Sequence, residues 1–182
     1  MQKSKFNVLL YFDGSQQSFS AAVYTATLFM NIPDMHLTVV EVQQSDEDSL
    51  GTDSNWKETW QVNHNADWMK ILIDEADDIT KNQVDKILKK TNDVFTLRGN
   101  DISHQVIYCN PSIADTADAL VEYAAKKRFK LCIMGTRGLT SLKGLIHGSL
   151  AHSVLNKSTI PVLLIKKLSQ EFIDGYCSES NS

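Results

Sequence analysis

The chain has 182 residues, 42% of them hydrophobic and 22% charged, with a formal net charge of −4. This is the composition of one globular domain with a sizeable core, and the mild negative balance gives no footprint for nucleic acid or an anionic membrane. No apolar run approaches the ~20 residues that span a bilayer, no signal-peptide core follows Met1-Gln-Lys-Ser-Lys5, and three cysteines without CxxC spacing argue against a disulfide framework or zinc site. The expected location is the cytoplasm.

Val8-Leu-Leu-Tyr-Phe12 is a continuous apolar run stopped by Asp13-Gly14, the pattern of a central strand and its exit turn. Ser15 or Ser18 then caps a helix whose apolar positions Phe19, Ala22, Ala26 and Phe29 recur at helical spacing, ending near Asn31 and Pro33. His36 to Val42 is β-rich and reads as the second strand. Residues 43–63 form a polar insertion expected to be a loop, although Trp56 and Trp60, four apart, suit a short helix.

A helical pattern follows from Asn65 to Leu97, long enough to bend or break around 81–83. Ile102 to Tyr108 is the third strand. Asn110-Pro111 offers a cap and a first-turn proline for a helix burying Ala114, Ala117, Leu120, Val121 and Ala124. Lys130 to Met134 is the fourth strand, and Ile160 to Ile165, with a proline near its start, is a fifth at an edge. Residues 168–182 end in polar residues and read as a flexible tail, leaving 1–167 as the domain. Strands alternating with helices mean an α/β fold: one doubly wound, mostly parallel five-stranded sheet, Rossmann-like, flanked by helices.

Such sheets bind ligands outside the carboxyl ends of their strands, where strand order reverses. Asp13, Val42 and Met134-Gly135 fall at three strand exits. The last opens the block Gly135-Thr-Arg-Gly138, with Gly148-Ser149 further on before a helical segment through Leu155. Glycines that permit close backbone approach, followed by a helix N-terminus, are the parts of a phosphate cradle. The spacing is neither a Walker A loop nor the Rossmann fingerprint. Each piece also has a plain structural use: Asp13 can cap a helix, Gly135 and Gly138 can form an ordinary turn, and Gly148-Ser149 can be only a cap.

The run Met134 to Ser149, with the closing Ile160-Pro-Val-Leu-Leu-Ile165, closely resembles the universal stress protein family. The opening Val8 to Ser15 and the strand ending Val39-Val-Glu-Val42 are similar to that family's first two strands. The resemblance implies an adenine nucleotide alpha hydrolase-like fold, and in the nucleotide-binding members a site for ATP, with Mg²⁺ held mainly by phosphates. Carried over by similarity, Asp13 meets the ribose hydroxyls and Val42 the adenine. Met134, Gly135 and Gly138 line the ribose and phosphate path. Gly148, Ser149 and the Leu150 amide bind phosphates, and Arg137 and Lys143 neutralise their charge. The resemblance further implies a homodimer through the Val162–Ile165 edge and a regulatory role in which ATP orders residues 135–149. Cys109-Asn110-Pro111 departs from the family's usual glycine at that point.

No residue stands out as a catalytic base. His147 and His152, near the block, read more simply as surface histidines. An adenylate-handling α/β enzyme with slow ATP hydrolysis or nucleotidyl transfer, and a partner-binding module without nucleotide, are the competing readings.

Overall fold

The computed structural model describes residues 5–44, 59–60, 78–136 and 148–178. In chain order the elements are β1 (Phe6–Tyr11), α1 (Gln16–Asn31), β2 (Met35–Gln44), β3 (Thr59–Trp60), α2 (Asp78–Leu97), β4 (Ile102–Cys109), α3 (Ile113–Lys126), β5 (Leu131–Gly135), α4 (Ser149–Lys157), β6 (Val162–Ile165) and α5 (Gln170–Ser178).

The strands form one sheet in the order β3-β4-β2-β1-β5-β6. The five longer strands are mutually parallel, as the sequence implies. The two-residue β3 adds an antiparallel edge on β4, pairing Thr59 with Val106 and Trp60 with Gln105. The expected loop at 43–63 therefore yields residues at both margins: 43–44 prolong β2, and Trp60 is in a strand rather than a helix. Trp56 and the first part of the expected 65–97 helix lie outside the described residues.

Both faces of the sheet are covered, which explains the unbroken apolar run in β1, where Val8, Leu9 and Leu10 are fully buried. Val8, Leu10, Leu37 and Val39 pack under α1 and α2, with Phe29 and Phe95 meeting edge to face at 6.1 Å. Leu9, Tyr11, Val40 and Met134 pack under α3 and α4. Burying each large apolar side chain contributes roughly 1.5–3 kcal/mol.

Ser15 caps α1, its Oγ accepting the Ser18 N–H at 3.1 Å. The other end is closed by Arg98, whose guanidinium donates to the carbonyls of Phe29, Ile32, Pro33 and Met35. It also lies 3.9 Å from the Phe29 ring centroid. Those carbonyls have no partner inside the helix, so one planar fork serves the whole α1–β2 turn.

Two expectations are corrected. The cap of α3 is Ser112, not Asn110: Ser112 Oγ accepts from the Asp115 N–H at 3.0 Å and donates to its carboxylate at 2.6 Å. Ser112 and Asp115 bind each other reciprocally across the first turn, a stronger cap than Asn110 could make. The expected flexible tail contains α5 over Gln170–Ser178. Tyr176 is buried, its hydroxyl 3.0 Å from Thr91 Oγ1, and the Lys90 ammonium donates to its carbonyl. Phe172 stacks toward Tyr24 at 5.9 Å, fixing α5 against α1 and α2. Among the described residues no helix is long and apolar enough to cross a membrane.

Candidate functional site

From β1 the chain passes outward to β2 and β4, while β5 and β6 lie on the other side of β1. Strand order therefore reverses between β1 and β5, and their carboxyl ends flank the crevice where this fold class places ligands. Asp13, Met134, Gly135 and Leu150 all line that crevice, joined by Tyr11, Ser18 and Ala151. Its enclosed volume is about 10 Å³, room for one water. Anything larger could lie only above it, across the strand ends.

Asp13 Oδ1 accepts the Ser15 N–H at 3.0 Å, and Gly14 takes a positive φ of 79° between them. This local turn holds the carboxylate at the β1 exit, while Ser15, not Asp13, caps α1. Tyr11 stands beneath it. Burial, then the charge of Asp13 and then that of Cys109 push its phenol far above the usual range, so it is a neutral donor. The Cys109 thiol is likewise raised by burial, opposed by its bond to Thr116, and Cys132 is pushed up to about 12 by burial alone. Both are core thiols, not nucleophiles.

Gly135 is glycine for a reason the sequence hides. A Cβ there would fall 2.7 Å from the Gln17 carbonyl carbon and 2.8 Å from the Ser18 nitrogen. The end of β5 thus rests directly against the first turn of α1. Its backbone has no positive φ; among the described residues only Gly14 and Arg128 have one.

Gly148 returns the chain to this point, its N–H donating to the Thr136 carbonyl at 2.7 Å while Thr136 N–H donates to Ile165 at 2.8 Å. Gly148 is the N-cap of α4, with extended angles and no side-chain cap, so Ser149 and Leu150 begin the helix beside β5. Uncapped first-turn amides and the helix dipole make this end receptive to an anion. Val42 is not in the crevice. It stands on β2, half-buried on the same sheet face as Tyr11 and Met134, two strand spacings (about 10 Å) from β5. Arg137, Gly138 and Lys143 lie outside the described residues, as does His147. His152 is exposed on α4. Among the described residues no group of His, Cys, Asp and Glu could hold a metal ion.

Sequence reasoning missed Tyr11 and Ser18. Tyr11 carries a weak signal, a phenol ending an otherwise aliphatic strand two residues before Asp13; Ser18 carries none beyond its capping partnership.

The fold and this strand-exit crevice define a doubly wound α/β protein. The model of the universal stress protein family matches residues 6–166, and the chain belongs to that family. Universal stress protein YxiE of Bacillus subtilis is 31% identical over 95 residues, which span 52% of this chain and 61% of that relative. Universal stress protein MJ0531 of Methanocaldococcus jannaschii is 27% identical over 159 residues, 87% of this chain and 81% of its own. Among solved structures, universal stress protein UspA from Lactobacillus plantarum superposes with a TM-score of 0.55 at 16% identity, covering 90% of this chain and 99% of that one. A universal stress protein in complex with cAMP gives 0.51 at 19% identity, covering 89% and 97%.

Proposed function

We propose that this universal stress protein is a cytoplasmic regulator that binds an adenine nucleotide, ATP in the first instance, across the carboxyl ends of β2, β1 and β5. The observation that carries the reading is the juxtaposition of Asp13 with the uncapped start of α4 on either side of one crevice. A carboxylate suits ribose hydroxyls, and free helix amides suit phosphates. Val42 would face the base, Met134 and Gly135 the sugar, and Gly148, Ser149 and the Leu150 amide the phosphates. Arg137, Gly138 and Lys143 would complete the phosphate end. Mg²⁺ would travel with the phosphates and their waters. The complex of a relative with cAMP supports an adenine nucleotide as the ligand class.

Binding would order residues 135–149 and change the surface shown to partners. A homodimer through β6 would cover that edge strand, whose Val162, Leu163 and Leu164 are partly exposed. Calorimetric titration with ATP and with cAMP tests the site, comparing wild type with Asp13→Ala and Gly138→Val. Unchanged ATP affinity in both variants sinks it. Mass spectrometry of gently purified protein distinguishes the alternatives: bound ATP supports the regulator, AMP a slow adenylate-handling enzyme, and no nucleotide a partner module.

A further inference from the structure

At the opposite end of the sheet the strands begin beneath the C-terminus of α3, and there the inner face turns polar. Asn7 of β1 is in register with His36 of β2, and Thr38 of β2 with Ser103 of β4. Together with Gln105 these side chains line a cavity of about 180 Å³. The rings of Tyr123 and Phe129 wall it, and Lys127 sits at its rim. Elsewhere this face is filled by Leu9, Val40 and Ile107, so five neighbouring polar side chains are not core packing.

Buried polar groups nearly always find partners. Ser103 Oγ lies 3.3 Å from His36 Nε2, and the Gln105 amide donates to the Val106 carbonyl at 2.9 Å. Thr38 is only 7% exposed, and His36 Nδ1 is buried with no hydrogen-bond partner among the described residues, Asp101 Oδ1 standing 3.9 Å away. Both line the cavity.

The lining also selects a chemistry. No carboxylate lines the cavity itself, Asp101 standing 3.9 Å from His36 Nδ1, and the exposed Lys127 is the one cation of the lining. Burial, with Lys5 adding and the Asp101 carboxylate opposing, lowers the pKa of His36 below its ordinary value. The negative end of the α3 dipole points here and disfavours an anion. Hydroxyls and amides that both donate and accept, set between aromatic walls, match a ligand rich in neutral hydroxyls. We propose that this cavity binds a small neutral polyhydroxylated compound, the size of a cyclic polyol or a monosaccharide.

Saturation-transfer NMR on the full chain tests this with myo-inositol and D-glucose as probes and benzoate as an anionic control. Saturable binding of at least one polyol is expected, with benzoate silent and ATP binding unaffected by the Thr38→Val substitution. Thr38→Val should weaken the polyol by about tenfold, with Ser103→Ala as the second variant if the first does not fold. No saturable polyol signal, benzoate binding in its place, or wild-type affinity in the folded variants overturns the proposal. So does an experimental structure at saturating polyol with only ordered water in the cavity.

Discussion

At the carboxyl ends of β1 and β5 the chain is packed so closely that Gly135 has no room for a methyl group. At the amino ends of β1, β2 and β4 about 180 Å³ stays open behind Thr38. In a parallel sheet one end collects helix N-termini and the other helix C-termini, so the two ends offer opposite electrostatics from one backbone plan. The tight end sets Asp13 beside the uncapped start of α4. The open end presents uncharged hydrogen-bonding groups within its depth.

This contrast can be broken most forcefully at the tight end. Gly135→Val should cost about 3 kcal/mol in urea denaturation, because the clashing atoms are backbone and cannot swing away; a loss under 1 kcal/mol would show that α1 can lift from β5. At the other end, Arg98→Ala should cost about 2 kcal/mol by leaving the Phe29, Pro33 and Met35 carbonyls of the α1–β2 turn without their shared donor. Arg98→Lys should recover only part of that, since an ammonium cannot reproduce the planar fork. Asp13→Ala should weaken ATP binding about tenfold, or ~1.4 kcal/mol, measured by calorimetry at constant salt. Tyr176→Phe, remote from both ends, should cost about 1 kcal/mol by removing the partner of the buried Thr91 hydroxyl, with ATP affinity unmoved.

The smallest effect is one of pH. Burial lowers the folded-state pKa of His36 below its ordinary value near 6.5, so the unfolded chain takes up this proton first on acidification. Its contribution is complete above about pH 6.5 and is lost as pH falls below that. His36→Asn should therefore flatten the acid side of the stability profile; an identical slope in both proteins would remove His36 from the account.

Much of the architecture was legible in the sequence. Val8 to Tyr11 declares a strand buried on both faces, and Ser15 with Ser18 announces the start of α1. The exits at Asp13 and Met134-Gly135 foretell the crevice, because α/β topology turns sequence order into spatial order. Val42 was foretold as a strand exit but not as a residue one strand removed from the crevice. The reason for Gly135 was invisible, since it depends on where α1 rests. Asn110 misled because Pro111 hid the stronger capping pair, Ser112 and Asp115. Phe172, Ile173 and Tyr176 held a helical signal that the polar residues after them masked. The polar row behind Thr38 appears only when three strands are laid side by side.

The position of β1 has a consequence for how the chain is made. Its partner on one side, β2, follows within about thirty residues, but Val8, Leu9 and Leu10 meet β5 only at Leu131, Cys132 and Ile133. While a ribosome is still extending the chain through α3, the nascent sheet ends at β1, its most apolar strand, with a row of unpaired backbone groups. Parallel closure across such a sequence separation is slow, and an open apolar edge invites pairing with other chains. The strand that becomes the centre of the finished molecule is, for most of synthesis, its border.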